Sequence, residues 1–253
     1  MRILTWNIHG AYLYDRDERF PRIKKAIEEI QPDIACIQEA FFPKSRNMLE
    51  SISGYHPSYQ TNFFPPRTTK GGLFTLTKAK PQEVSFHPYQ MQGSWRSEQK
   101  WDRLISKGFL ETTIEDPEFG KVAIINTHKV CTYSPEPDHY LEDQVHQLVG
   151  HLEQERDGLV IVAGDFNFER KTHLYQKVRT RLHDATASLG NFHLFDYQPI
   201  DYIFLNQEHQ HTSQYVIVEW EDTYPSDHPG IFADIHPNCS ISEYGYTDMH
   251  PHR

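Results

Sequence analysis

Residues 159–167 read LVIVAGDFN, a run of five apolar residues followed by a glycine, a carboxylate and an amide-bearing turn. A short, continuous apolar run of this kind is typical of a strand that is buried on both faces. We therefore predict a strand over residues 159–163 that presents Asp165 and Asn167 at its open end. Polar side chains held at the end of a rigid strand are well placed for catalysis or binding.

Strand and helix patterns extend on both sides of this stretch. Apolar residues from residue 20 to Ile30 recur at helical spacing, and Pro32 ends that helix, because proline cannot continue it. Strands outnumber helices and fall into two runs, each with a helix within it, which indicates two sheets packed face to face with helices outside, an α+β layered sandwich. Further strands are predicted at residues 2–8, 34–38, 71–77, 108–114, 121–127, 201–205, 214–220 and 230–235, and further helices at residues 141–152 and 173–182.

Composition narrows the classes of function. The 253 residues carry a formal net charge of −10, so a global positive field that would hold nucleic acid is excluded. If the protein acts on phosphates, a metal ion or a few focused basic side chains must supply the positive charge. We find no signal-peptide core and no transmembrane segment, so we expect a cytoplasmic protein, and we expect a monomer. One domain is predicted over residues 1–236, followed by a flexible C-terminal tail at residues 237–253.

Polar residues interrupt or follow the predicted strands at several separate places. One aspartate or asparagine at a strand end is more often a turn former or a helix cap, and one histidine is more often a surface residue. The repetition weakens that ordinary interpretation, because independent turn residues need not combine acids, amides and imidazoles. The residues concerned are Asn7, Glu39, His128, Asp165, Asn167, Asp201, Asp227 and His228.

Six short motifs that contain these residues resemble, in order, the motif series of the endonuclease/exonuclease/phosphatase superfamily, whose fold is that of pancreatic deoxyribonuclease. The resemblance covers residues 1 to about 235 and implies a four-layered α/β/β/α sandwich, with two mainly antiparallel sheets flanked by helices. It also implies Mg²⁺-dependent cleavage of phosphoester bonds. The motifs are TWNI at residues 5–8, IQE at 37–39, NTH at 126–128, GDFN at 164–167, DYI at 201–203 and SDHP at 226–229.

The resemblance implies a metal site as the centre of the chemistry. Glu39 would be the main ligand of Mg²⁺, or of Mn²⁺ in its place. Asn7 would lie close by and position the ion or a phosphate oxygen, and Asp227 would complete the carboxylate cluster. Mg²⁺ prefers oxygen ligands and keeps several waters, so one or two carboxylates and substrate oxygens are enough to hold it.

The resemblance also implies roles in proton transfer and in phosphate binding. Asp165 and Asn167 would orient the attacking water and the phosphate, and His128 would donate to the scissile phosphate or protonate the leaving oxygen. His228 would hydrogen-bond the phosphate or activate water, with its imidazole oriented by Asp201. Two histidines near neutral pKa are able to share acid and base work in this way.

The substrate is predicted from weaker resemblances. The abasic-site nucleases of the superfamily commonly have a tyrosine segment where this chain has His128, and residues 102–109 and 71–74 are similar to stretches of neutral and bacterial sphingomyelinases. We therefore expect a lipid phosphodiester of the sphingomyelin type. In this interpretation Lys107 would face the phosphate, although a solvated loop lysine is the favoured interpretation of that residue.

Two alternatives for the function stay open. Arg170, Lys171 and the basic residues at 177–181 form a stretch that favours nucleic acid, although a solvated helix face is the simpler explanation. A catalytically silent scaffold that serves as a binding module is a lesser alternative, because every motif is filled with competent residues. Trp95, Trp101 and the segment 63–66 would make peripheral contact with a membrane, but packing explains such aromatic residues more often.

Overall fold

The structure is a computed structural model that describes residues 1–11, 15–63, 67–94, 103, 105–131, 137–154, 157–192, 198–216 and 224–237. Beyond residue 237 the predicted tail lies outside these ranges. The same is true of Trp95, Trp101 and residues 64–66 from the predicted aromatic rim, and of residues 217–220 from one predicted strand. The domain boundary at residue 236 stays a prediction.

Two six-stranded sheets form from the described residues. The strands are β1 (Arg2–Asn7), β2 (Ile34–Gln38), β3 (His56–Ser58), β4 (Phe74–Thr77), β5 (Glu83–Pro88), β6 (Gly108–Asp116), β7 (Gly120–His128), β8 (Leu159–Asp165), β9 (His183–Asp184), β10 (Asp201–Leu205), β11 (Gln210–Tyr215) and β12 (Ile231–His236). The helices are α1 (Arg16–Ile30), α2 (Pro43–Glu50), α3 (His139–Leu152) and α4 (His173–Arg179), and a 3₁₀ turn covers Lys70–Gly72.

The two sheets share one pattern of strand connections. The first has the order β11-β12-β1-β2-β4-β3 and the second the order β5-β6-β7-β8-β10-β9. Each contains one parallel pair, β1 with β2 and β7 with β8, and the other pairs are antiparallel. A parallel pair needs a long crossover, which α1 supplies in the first sheet and α3 in the second. The prediction of mainly antiparallel sheets is confirmed.

The layers follow from the alternation of side chains along the central strands. In β8, Val160 and Val162 pack in a cluster with residues of α3 and α4, whereas Ile161 and Ala163 pack between the sheets with residues of β1, β2 and β12. Helices α1 and α2 cover the outer face of the first sheet through a third cluster. Because both faces of β8 are buried, its sequence is apolar throughout. The predicted four-layered α/β/β/α sandwich is confirmed.

The structure departs from the sequence-based elements at the sheet edges. Strand β11 spans Gln210–Tyr215, whereas a strand was expected at residues 214–220. Its sequence, QHTSQY, is polar and mostly exposed, so no apolar alternation marks it as a strand. Helix α2 and strand β5 were not expected either, since α2 is only two turns long and β5 is exposed or half-buried along its length.

A buried amide links the two sheets close to the predicted site. The Nδ2 atom of Asn126 in β7 donates to the carbonyl oxygens of Ile37 and Phe74 at 3.1 Å each, and its Oδ1 accepts from Nε2 of Gln38 at 2.8 Å. Asn126 and Gln38 are both fully buried. Buried polar groups are expensive unless they are hydrogen-bonded, so this network fixes how β7 faces β2 and β4.

Replacing Asn126 by leucine is expected to lower the free energy of unfolding by about 2–4 kcal/mol, because the amide of Gln38 and two strand carbonyls lose a buried partner. Urea denaturation followed by circular dichroism measures the change. The matched control is Asn47→Leu on the exposed side of α2, which is expected to change stability by about 0.5 kcal/mol or less. Equal midpoints for the two variants would show that the bridge contributes nothing.

Candidate active site

Three of the predicted site residues meet because of strand order. Strand β8 lies between β7 and β10, and its last residue, Asp165, pairs in register with His128 of β7 and with Asp201 of β10. Gly164 precedes Asp165 with a φ of +149°, and a Cβ atom at this position would lie 1.9 Å from the carbonyl oxygen of Thr127. Glycine therefore lets β8 approach β7 closely at the point where the acid is presented.

Asn7 joins the first sheet to this group. Its Nδ2 donates to Oδ2 of Asp165 at 3.0 Å and to Oε1 of Glu39 at 3.2 Å, and its Oδ1 accepts from the backbone N–H of His9 at 3.0 Å. Glu39 follows β2 with a φ of +61°, and its Oε2 accepts from the backbone N–H of Ala11 at 3.4 Å. One amide thus holds two carboxylates from opposite sheets next to each other.

His228 reaches the same cluster from the loop before β12. Its Nδ1 lies 2.7 Å from Oδ2 of Asp201, and its Nε2 lies 3.8 Å from Oδ2 of Asp165. The loop is held by Ser226, whose Oγ donates to the carbonyl oxygen of Asn7 and accepts from the backbone N–H of His228. A carboxylate at Nδ1 fixes the ring so that Nε2 faces the remaining groups of the site.

The charges of the cluster shift its pKa values in opposite directions. Burial, and then the neighbouring Asp201 carboxylate, raise the pKa of Asp165. Burial would lower the pKa of His228, but the carboxylates of Asp201 and Asp165 outweigh it and raise that pKa to about 10. For His128, burial and then the charge of Lys107 lower the pKa well below its usual value. The surroundings of the two imidazoles therefore act in opposite directions: they favour the charged form of His228 and the neutral form of His128.

His128 and Asn167 complete the inner part of the cluster. Nε2 of His128 lies 3.4 Å from Oδ2 of Asp165, and its buried Nδ1 has no hydrogen-bond partner among the residues that the structure describes. Asn167 has a φ of +54°, donates its backbone N–H to Oδ1 of Asp165 at 2.9 Å and donates its Nδ2 to the carbonyl oxygen of Lys129 at 3.0 Å. The amide of Asn167 thus braces the turn that carries the acid.

Lys107 and Asp227 are placed differently from the other predicted residues. Lys107 is only 2% exposed and directly precedes Gly108, which pairs with His128, so the favoured interpretation of a solvated loop lysine is wrong. Its charge lowers the pKa of His128, which locates it beside the site. The side chain of Asp227 is 55% exposed and its Oδ1 lies 3.4 Å from Nδ1 of His9, at the rim of the cluster.

Lys129 is a buried residue at the site that the sequence did not indicate. Its Nζ donates to the hydroxyl of Tyr89 at 2.6 Å and lies 5.0 Å from the centre of the Phe166 ring. Burial lowers the pKa of Lys129 well below its usual value. From the sequence alone, a lysine one residue beyond the end of a strand is expected to be solvated. The packing of Tyr89 and Phe166 around Lys129 shows that it is buried.

The donor set of the cluster suits a hard divalent cation. Asn7 holds the carboxylates of Glu39 and Asp165 next to each other, and Asp201 adds a third carboxylate beside Asp165. His228 also lies within 4.8 Å of Asp165 and Asp201, but its Nδ1 is bonded to Asp201 and its raised pKa favours the protonated ring, which does not bind a cation. Carboxylate and amide oxygens predominate, as Mg²⁺ and Mn²⁺ require. Glu39 is half-buried, so solvent reaches part of its side chain.

The chain belongs to the endonuclease/exonuclease/phosphatase family, whose sequence profile matches residues 4–228. The match includes every residue of the cluster described above, and it confirms the resemblance seen in the motifs. Enzymes of this family hydrolyse phosphoester bonds and depend on divalent metal ions. In the described part of the chain, no helix combines the length and the apolar character needed to cross a bilayer.

Comparison with individual proteins finds a relative in sequence and several solved structures of similar fold. The inositol phosphosphingolipids phospholipase C of Schizosaccharomyces pombe (strain 972 / ATCC 24843) is 25% identical over 180 residues, which are 67% of this chain and 41% of the relative. The chain therefore spans less than half the length of that protein.

Two solved structures show the same fold. A humanized D. rerio TDP2 with 14 mutations superposes with a TM-score of 0.70 at 17% identity, over 93% of this chain and 98% of that one. SmcL superposes with a TM-score of 0.69 at 18% identity, over 92% of this chain and 98% of the other. These likenesses agree with the sandwich of two sheets and flanking helices.

Proposed function

We propose that this phosphoesterase is a divalent-metal-dependent phosphodiesterase that works by direct attack of water, without a covalent intermediate. The observation that carries the proposal is the single cluster in which Asn7 joins Glu39 to Asp165, while Asp165 lies beside two imidazoles. A phosphodiester is anionic and repels hydroxide, so its hydrolysis needs charge neutralisation and an oriented water. The cluster offers groups for both tasks.

In this proposal Glu39 holds the ion, Mg²⁺ or Mn²⁺, with Asn7 and Asp227 beside it. When bound, the ion would supply Lewis-acid polarisation of the phosphoryl group and charge stabilisation of the departing oxygen. The side-chain amide of Asn7 lies between the carboxylates of Glu39 and Asp165 and donates to both. In this arrangement the two carboxylates are able to act on different parts of the substrate. The acidic net charge of the chain is then no obstacle, because the positive charge is local.

The remaining residues hold and move protons. His228 keeps a proton because Asp201 accepts from its Nδ1, and its Nε2 donates to a phosphate oxygen. Asp165, whose raised pKa makes it a better base, accepts a proton from the attacking water while Asn167 orients the phosphate. The P–O bond to the departing group breaks as the water oxygen bonds to phosphorus, and the departing oxygen takes a proton from solvent. His128 stays neutral and donates a hydrogen bond to the scissile phosphate, since its lowered pKa makes it a poor source of a full proton.

We infer that the substrate is a lipid phosphodiester of the sphingomyelin type. The sequence relative is named as a phospholipase C for inositol phosphosphingolipids, which supports a sphingolipid substrate. Lys107 adds a buried basic group next to His128, where it faces the phosphate in this proposal.

Nucleic acid is the second candidate, and the basic stretch after β8 gives it less support than the sequence did. Arg170 donates to the backbone carbonyls of Leu189 and Thr186. Lys171 pairs with Glu169, and Arg181 pairs with Glu153. The guanidinium group of Arg170 is therefore bound within the fold, whereas Lys171 and Arg181 are more than half exposed and each is paired with a glutamate.

A panel of substrates in Mg²⁺, with and without EDTA, tests the proposal. We expect release of phosphocholine from sphingomyelin vesicles, slow hydrolysis of bis-p-nitrophenyl phosphate, and loss of both activities in EDTA that added Mg²⁺ or Mn²⁺ restores. Nicking of DNA or RNA without lipid hydrolysis would reverse the choice of substrate. Full activity in EDTA would refute the metal-dependent mechanism, and no turnover of any substrate would favour a silent scaffold.

A further inference from the structure

A second cluster of metal-ligating side chains lies away from the catalytic residues, on the face of the second sheet that packs against α3. Glu111 of β6 lies two residues from Phe109, so both side chains are on this face. His87 of β5 pairs in register with Phe109, and Ser85 pairs with Glu111. His151 comes from the last turn of α3. Strands β5 and β6 and helix α3 thus each contribute one side chain to the same cluster.

We propose that His87, Glu111 and His151 form a zinc site that is independent of the catalytic cluster. Each residue offers a ligand atom within 4.8 Å of the other two. Oε2 of Glu111 lies 2.7 Å from Nε2 of His151 and 3.7 Å from Nε2 of His87. The ligand atoms of a tetrahedral zinc ion are separated by roughly 3.4 Å, so small side-chain movements are enough to admit the ion.

The convergence of two imidazoles on one oxygen distinguishes this cluster from an ordinary ion pair. A histidine–glutamate pair needs only one ring, yet here the Nε2 atoms of both histidines approach the same Oε2 atom. Nε2 of His87 also lies 2.9 Å from Oγ of Ser85, a contact that the ion would replace. The rings of His87 and His151 both pack on Phe109, at 4.8 and 4.7 Å between ring centres, which limits how far they turn away.

The donor set selects the class of metal. Two imidazole nitrogens and one carboxylate are ligands that suit Zn²⁺, whereas Mg²⁺ prefers oxygen ligands alone. All three side chains are partly exposed, at 37% for His87, 15% for Glu111 and 14% for His151. Solvent is therefore able to reach the site and to supply a fourth ligand. Bound zinc would tie the end of α3 to β5 and β6.

Titration calorimetry of the whole protein with Zn²⁺ in excess Mg²⁺ tests the proposal. We expect one zinc ion per chain with a dissociation constant of about micromolar or lower, and a zinc-dependent rise in Tm. His87→Gln and His151→Gln should each weaken binding on the order of tenfold or more. The matched control is His146→Gln, an exposed histidine on the same helix, which should bind zinc as the natural chain does.

Two measurements separate this site from the catalytic one. His228→Gln should retain the zinc affinity, and His87→Gln should retain Mg²⁺-dependent turnover of bis-p-nitrophenyl phosphate. Co²⁺ bound to the natural chain should give the intense visible absorption of tetrahedral coordination, a result that needs no variant to fold. Unchanged zinc binding by folded His87→Gln and His151→Gln variants would overturn the proposal, as would loss of zinc binding in His228→Gln.

Discussion

Replacing His228 by glutamine is expected to lower kcat for phosphodiester hydrolysis by about 10³-fold, with little change in KM. Its Nε2 is the charged donor in the cluster, and glutamine offers an amide without a full positive charge. The position is rigid, because Asp201 binds Nδ1 and the indole N–H of Trp6 donates to the backbone carbonyl of His228. Steady-state kinetics in saturating Mg²⁺ with bis-p-nitrophenyl phosphate measures the effect.

Asp201→Asn extends the test to the group behind the imidazole. Asparagine keeps the shape but removes the charge that raises the pKa of His228, and its amide group favours the wrong tautomer. We expect a loss in kcat of about 10²-fold or more. His183→Gln, an exposed histidine next to β10, is the control and should keep full activity. Full turnover by His228→Gln would exclude the proposed role of this histidine.

Most residues of the catalytic cluster were predictable from the sequence, because each is a polar residue at the end of an apolar strand. Asp165 follows five apolar residues, and Asn7 and His128 close strands of the same kind, so the sequence alone marks them as candidates for one site. The family match over residues 4–228 confirms the resemblance on which those motifs were grouped. What no motif specified is the geometry: that Asp165 stands in register with both His128 and Asp201 depends on the order of β7, β8 and β10.

Residues whose importance comes from packing were not predictable. Lys107 and Lys129 look like ordinary solvated lysines in the sequence, yet both are buried. For Lys129 the reason is that Tyr89 and Phe166, from distant segments, pack around its ammonium group. Strand β11 was misplaced because an exposed edge strand needs no apolar alternation. His87, Glu111 and His151 have no motif spacing, since they come from three elements, and the chain contains sixteen histidines from which to choose.

Glu39→Gln is expected to raise the Mg²⁺ concentration needed for half-maximal activity by about tenfold or more, and to lower kcat in saturating Mg²⁺ by about 10³-fold. Glutamine has nearly the same shape, and its side-chain oxygen is able to accept the hydrogen bond from Asn7. The change therefore removes one negative charge and the long, exposed contact with the backbone N–H of Ala11. Activity measured across a series of Mg²⁺ and Mn²⁺ concentrations gives both quantities.

The control for this variant is Glu29→Gln on the exposed side of α1, which should change neither quantity. Unfolding by urea separates a metal ligand from a structural residue. Glu39 is half-buried and glutamine keeps the acceptor for Asn7, so without metal the free energy of unfolding should change by about 1 kcal/mol or less. A variant that is less stable without metal, yet keeps its response to Mg²⁺, would show that Glu39 supports the fold and that the ion is held by other residues.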